Sequence, residues 1–197
     1  MKHLRRTTRL YLFGIVLFLF LTIYGFETVL ASEIVIFTFN PAADSFVVDD
    51  MPGSNQGTAP LLRVRGSRMQ SYLRFHVDGL VGSVTTATLQ LYVNSNNGSG
   101  YAIYLVPDNT WQEDSINYAN APALGELIYT SETAVPETWV EIDVTPYVQE
   151  EGHYNFAIVG TDDQQLTFSS DEGDFHPKLY IVDPTDCGGV CPPRATP

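Results

Sequence analysis

Between Thr85 and Val93 the side chains alternate without a break. Ala87, Leu89, Leu91 and Val93 fall on one side, and Thr86, Thr88, Gln90 and Tyr92 on the other. A period of two belongs to a β-strand, whose successive side chains point to opposite faces, and a helix does not satisfy it. The same period recurs in Ser71–Val77, where Leu73, Phe75 and Val77 oppose Arg74 and His76. Shorter strands are predicted at Ile34–Phe39, Phe46–Val48, Leu61–Arg65, Ala102–Val106, Val140–Val144, Tyr154–Thr161, Gln165–Ser169 and Lys178–Val182. Clusters of Gly, Asn, Pro and Asp separate them, as in Asp49–Gly57 and Asn94–Gly100, and no stretch carries a helical period. Many short alternating strands must pair their uncovered faces, so the expected fold is all-β: a single antiparallel β-sandwich of jelly-roll type.

The N-terminus reads differently. Lys2, Arg5, Arg6 and Arg9 precede an uncharged apolar run from Leu10 to Phe26, and Val29-Leu30-Ala31 places small residues where a signal peptidase cuts. This predicts a signal peptide over residues 1–31, cleaved after Ala31, and an extracellular protein. The run is 17 residues long, at the lower limit of the roughly 17 to 25 that span a bilayer. If uncut, it would anchor the chain to a membrane with the rest outside. The sandwich is then expected over 32–183, with a Pro-rich tail or linker at 184–197.

Without the leader the chain has 6 basic and 22 acidic residues, a net charge of −16. A surface so acidic repels phosphate backbones, which excludes nucleic acid as a partner. Both cysteines, Cys187 and Cys191, fall in the tail, where glycines between them would permit a small disulfide loop. They do not staple the sandwich. Asn97-Gly98-Ser99 matches a glycosylation sequon and marks an exposed loop.

A longer pattern joins these pieces. It runs through Ala43-Asp44-Ser45-Phe46-Val47, Asn55-Gln56-Gly57, Ser71-Tyr72-Leu73-Arg74-Phe75 and the Gly79–Val93 stretch. It continues through Trp111, Glu113, Ile116, Tyr118, Asn120-Ala121-Pro122, Trp139–Thr145 and Phe168-Ser169-Ser170-Asp171-Glu172. In this order the residues resemble the DNRLRE-type domains of secreted bacterial proteins, also called carbohydrate-binding module family 96, over residues 36–182. The resemblance implies a jelly-roll module that binds a polysaccharide, with an alginate-like chain the ligand associated with the family. Two positions depart from the family pattern: Asp171 stands where an Arg is usual, and His76 where an Asp is common.

No nucleophile motif and no His-Glu-x-x-His occurs, so no catalytic residue is assigned. Oxygen donors are another matter. Asp44, Asn55 and Glu172 lie near the first and last strands, which run close together in a jelly roll, and their oxygens suit a structural Ca²⁺. The competing reading makes Asp44 and Asn55 turn formers and leaves Glu172 solvated.

For sugar recognition, the aromatic candidates are Trp111, Trp139, Tyr104, Tyr118, Tyr129 and Tyr92. Trp111, in the polar segment Asp108–Glu113, suits a stacking platform or a cap on the sandwich; Trp139 is expected in the core. Arg63, Arg65 and Arg74, with Arg68, hold most of the positive charge. They would either grip a uronate carboxylate or pair with the acidic surface. The site residues expected for carbohydrate are Arg63, Arg65, Arg74, Trp111 and Tyr118. The expected function is noncatalytic polysaccharide binding, against the alternative of a structural or adhesive surface module without a sugar ligand.

Overall fold

The computed structural model describes residues 33–96 and 100–185. The apolar leader, the sequon and both cysteines lie outside the described residues. Among these, no helix is long and apolar enough to cross a membrane.

The strands in chain order are β1 (Glu33–Phe39), β2 (Pro41–Val48), β3 (Leu61–Val64), β4 (Met69–Val77), β5 (Thr86–Asn96) and β6 (Tyr101–Leu105). They continue as β7 (Leu127–Ser131), β8 (Thr138–Asp143), β9 (Gly152–Gly160), β10 (Leu166–Ser169) and β11 (Lys178–Thr185). Every pairing between these strands is antiparallel. One sheet, called A, follows the order β1-β11-β5-β10-β3, with β8 on the opposite edge of β5; sheet B follows β2-β4-β9-β6-β7. The chain switches sheet at most of its connections, as in a jelly roll. The antiparallel sandwich expected from the alternation is the fold observed.

The inward residues of the two sheets meet in one core, built around Leu73, Phe75, Leu89, Leu91, Tyr101, Phe156, Phe168 and Leu179, all essentially inaccessible to water. These are the apolar partners of the period-two pattern. Burying each such side chain contributes roughly 1.5–3 kcal/mol.

A second, smaller core lies on the outer side of sheet B. The segment 106–126 folds back over that face, and its Val106, Trp111 and Ile116 pack on Ala43, Val47, Tyr72 and Ala157. This cover explains why β2 starts at Pro41 rather than near Phe46. Covered on both faces, it shows almost continuous burial instead of alternation.

Three further differences follow from pairing. Leu127–Ser131, not expected as a strand, adds to the edge of β6. β11 runs on to Thr185, past the expected boundary, because β1 supplies partners as far as Glu33. And Trp139, expected in the core, points outward and is 38% exposed. Val140 and Ile142 face in, so alternation along β8 turns Trp139, Glu141 and Asp143 out.

β10 and β11 are successive halves of one lane beside β5. Phe168 pairs with Val93 and Lys178 with Gln90, so only Leu91 and Tyr92 of β5 separate the two points of contact. The eight residues 170–177 leave the sheet between them as an excursion. That excursion supplies Asp171, Glu172, Phe175 and His176.

Candidate functional site

Asp44 lies on edge strand β2 and pairs with the core residue Leu73, so its side chain enters the seam between the sheets. It is 1% exposed. Two loops close over it: the 170–177 excursion brings Glu172, and the 106–126 segment brings Glu113. One carboxylate oxygen from each of Asp44, Glu113 and Glu172 lies within 4.8 Å of the others.

The backbone around these groups is held by polar contacts. Asn55 Nδ2 donates to the carbonyl oxygens of Glu113 (2.6 Å) and Ile116 (2.8 Å), and its Oδ1 accepts from the Gly57 N–H at 3.2 Å. Gly57 has to be a glycine, since a Cβ there would collide with Glu113, lying 2.9 Å from its backbone carbon. Ser170 Oγ sits 2.7 Å from the Ala59 carbonyl oxygen and 3.0 Å from Glu172 Oε2. The Asp171 N–H donates to Asp44 Oδ2 at 2.7 Å.

Burial pushes the Asp44 carboxyl up to about 8; the Asp171 N–H opposes this, and the negative charges of Glu172, Glu113 and Asp171 add to it. Glu113 is raised as well, by burial first and then by Glu172. Crowding three carboxylates this way is costly unless a proton or a cation is shared among them. Beside them opens a cleft of about 420 Å³, lined by Ala42, Thr58, Arg74, Gln112, Glu113 and Glu172.

Of the expected metal ligands, Asp44 and Glu172 come together with Glu113 as the third carboxylate, while Asn55 braces the Glu113 loop through its amide. Only its place in the family pattern hinted at Glu113, because the contact joins positions far apart in the chain.

The arginines do not converge. Arg63, on β3 of sheet A, lies over the Phe46 ring at 5.4 Å. Arg65 is held by Asp163, with Nε to Oδ1 at 3.1 Å and Nη2 to Oδ2 at 3.2 Å. Arg68 pairs with Asp49 at 3.3 Å. Arg74, on sheet B, stacks over Trp111 and donates to the carbonyl oxygens of Asn109 and Trp111. Arg65 and Arg68 are paired with acids and Arg74 with backbone carbonyls, whereas Arg63 is exposed beside its ring.

Trp111 is a cap rather than a platform. It is 6% exposed, and its Nε1 donates to Asn155 Oδ1 at 2.9 Å under the folded-back segment. Tyr118 remains exposed, and its hydroxyl donates to the Ser67 carbonyl oxygen at 3.3 Å.

The sequence profile described as carbohydrate-binding module family 96 matches residues 35–183, from β1 into β11. The chain belongs to carbohydrate-binding module family 96. No curated protein matches this module. Among solved structures it is similar to a family two carbohydrate esterase from Cellvibrio japonicus, with 10% identity and a TM-score of 0.31 over 77% of this chain and 34% of the esterase. The family 96 module thus spans about a third of that enzyme. It is also similar to chitosan-binding module 1 of a chitosanase/glucanase from Paenibacillus sp. IK-5, with 10% identity, a TM-score of 0.32, and coverage of 77% of this chain and 93% of that one.

Both departures of this module from the family pattern have a local role. Asp171 Oδ1 lies 3.2 Å from His176 Nδ1 within the excursion, and its backbone N–H serves Asp44. His76 stacks on His153, its partner across β4 and β9, with ring centroids 4.5 Å apart.

Proposed function

We propose that this protein is an exported, noncatalytic module that holds a polysaccharide on the surface of its sandwich and takes up Ca²⁺ at Asp44, Glu113 and Glu172. The family match over residues 35–183 carries the reading, since it takes in the whole two-sheet body and not an isolated motif. Recognition by such a body needs a rigid surface rather than an activated nucleophile, so the mechanism is binding rather than turnover.

The donor set fits a hard cation. Ca²⁺ takes about six to eight oxygens, from carboxylates and backbone carbonyls alike. Three carboxylates from three separate segments would supply its anionic ligands. A bound ion would neutralise the crowding at Asp44 and tie the edge of β2 to the two loops over it. Asn55, Gly57 and Ser170 set those loops in place.

The charge distribution bears on the glycan. An alginate-like polyuronate needs cations, and of the arginines expected to meet it Arg65 is paired with Asp163, Arg68 with Asp49, and Arg74 is stacked on Trp111, which leaves Arg63, exposed beside the Phe46 ring. With a net charge of −16 after the leader, a glycan without carboxylates suits this surface better.

The test is a panel of neutral and acidic polysaccharides, read by pull-down and by release of reducing ends. Binding without new ends supports the proposal. New ends would make the protein an enzyme, and retention by no polymer would leave a structural or adhesive module instead. For the cation, the melting temperature is measured with chelator and with Ca²⁺ restored. Occupancy a hundredfold above Kd adds roughly 2.7 kcal/mol, and identical melting in both conditions would remove calcium from the account.

A further inference from the structure

Three aromatic rings from three separate segments meet on the outer face of sheet A: Tyr92 of β5, Trp139 of β8 and Phe175 of the excursion. Tyr92 and Phe175 stack with centroids 4.0 Å apart at 24°, and Trp139 presents itself edge-on, at 5.2 Å and 68° from Tyr92 and at 6.1 Å and 86° from Phe175. None of the three contributes to either core. Trp139 stays 38% and Phe175 42% exposed. Exposed apolar surface rimmed by polar residues is where soluble proteins carry binding sites. Phe175 arrives there because the excursion opens opposite Leu91 and Tyr92 and folds its one large apolar side chain back onto Tyr92.

The strand registers extend the cluster into a strip. One row along, some two residues or about 7 Å away, Gln90 lies between Glu141 and Lys178, and Gln90 Nε2 donates to Glu141 Oε1 at 3.1 Å. The row beyond sets Thr88 between Asp143 and Tyr180. The face therefore begins in ring surfaces and continues in amides, carboxylates and hydroxyls. A pyranose presents the matching chemistry, with C–H faces that stack on rings and hydroxyls that bond to polar side chains. Its charge selects among sugars. Two carboxylates against one lysine disfavour a polyuronate, and the three rings need no cation.

We infer that the outer face of sheet A, from Trp139, Tyr92 and Phe175 to the Gln90 and Thr88 rows, is a docking platform for a neutral extended glycan chain. This inference rests on the polysaccharide-binding reading above and names the surface and ligand class that reading leaves open. It is separate from the Asp44 cleft.

Affinity gel electrophoresis of the full sandwich with hydroxyethylcellulose, xylan, glucomannan and alginate tests it, using Trp139→Ala, Phe175→Ala and, as a control on sheet B, the exposed Leu127→Ala. Thermal melting checks that each variant folds. The expected result is retardation by at least one neutral polymer, weakened at least tenfold by Trp139→Ala and by Phe175→Ala and unchanged by Leu127→Ala. Retardation by a neutral polymer that survives both aromatic substitutions would overturn the platform while leaving the polysaccharide-binding reading intact. Retardation by alginate alone would overturn the neutral ligand class. If no polymer retards the protein, both fall. Concentration-dependent dimerisation abolished by Trp139→Ala, seen by sedimentation, would instead make the patch a contact between two copies and overturn the inference.

Discussion

The guanidinium carbon of Arg74 lies 5.0 Å from the centroid of the Trp111 ring, and Arg74 Nη1 donates to the Trp111 carbonyl oxygen at 2.8 Å. One side chain of sheet B thus clamps both the ring and the backbone of the segment folded over that sheet. Trp111→Ala should destabilise the protein by about 3–5 kcal/mol, as expected for a buried Trp. Arg74→Lys, which keeps the charge but loses the planar stack, should cost about 1–2 kcal/mol. Urea denaturation measures both, and hydrogen exchange in residues 106–126 should rise in each variant while the β5 amides stay protected.

Asp44 predicts a pH dependence of the metal-free protein. Its carboxyl is lifted from 3.8 to about 8 by burial, with neighbouring acids contributing. The folded state therefore holds this proton more tightly than the unfolded chain does. The stability it contributes is complete below about pH 4 and is lost as pH rises toward 8, at up to about 1.4 kcal/mol per pH unit. In chelator, melting temperatures should fall between pH 5 and pH 8, and Asp44→Asn should flatten that slope. An equal slope in the variant would assign the dependence to other groups.

Gly57 sets the third carboxylate. A methyl at this position must displace the Glu113 backbone, which Asn55 fixes from the other side. Gly57→Ala should cost about 1–3 kcal/mol and should shrink the melting shift produced by Ca²⁺. Glu113→Gln should shrink that shift with little loss of metal-free stability, since it removes a crowded charge.

Asp183 closes the far end of sheet A. Fully buried near the end of β11, it accepts from the N–H groups of Val81 (2.9 Å) and Gly82 (2.7 Å) through Oδ2. Asp183→Ala would remove the charged acceptor that both donors share, at a cost of about 1.5–3 kcal/mol. Chemical denaturation measures this, and limited proteolysis should find new cleavage around 80–85.

The alternation of Thr86–Val93 and of Leu73, Phe75 and Val77 determined a great deal without any tertiary information. Period two is a property of neighbours along the chain, so the strands, the sandwich and most of the core were readable from it, and the ordered family residues supplied the kinship. The same rule, carried one residue back from Val140, would have turned Trp139 outward. The strand Leu127–Ser131 was harder to see, because its partly exposed residues acquire their order from pairing with β6.

What only the tertiary structure decided are contacts between distant parts of the chain. Trp111 sits in a polar stretch and becomes buried because 106–126 folds over sheet B. Glu113 meets Asp44 for the same reason. Phe175 reaches Tyr92 only because two successive strands share one lane and the chain between them must leave the sheet. Local sequence encodes which way a side chain points from its own strand; which distant surface it then meets depends on closure of the two sheets and on the loops that closure brings together.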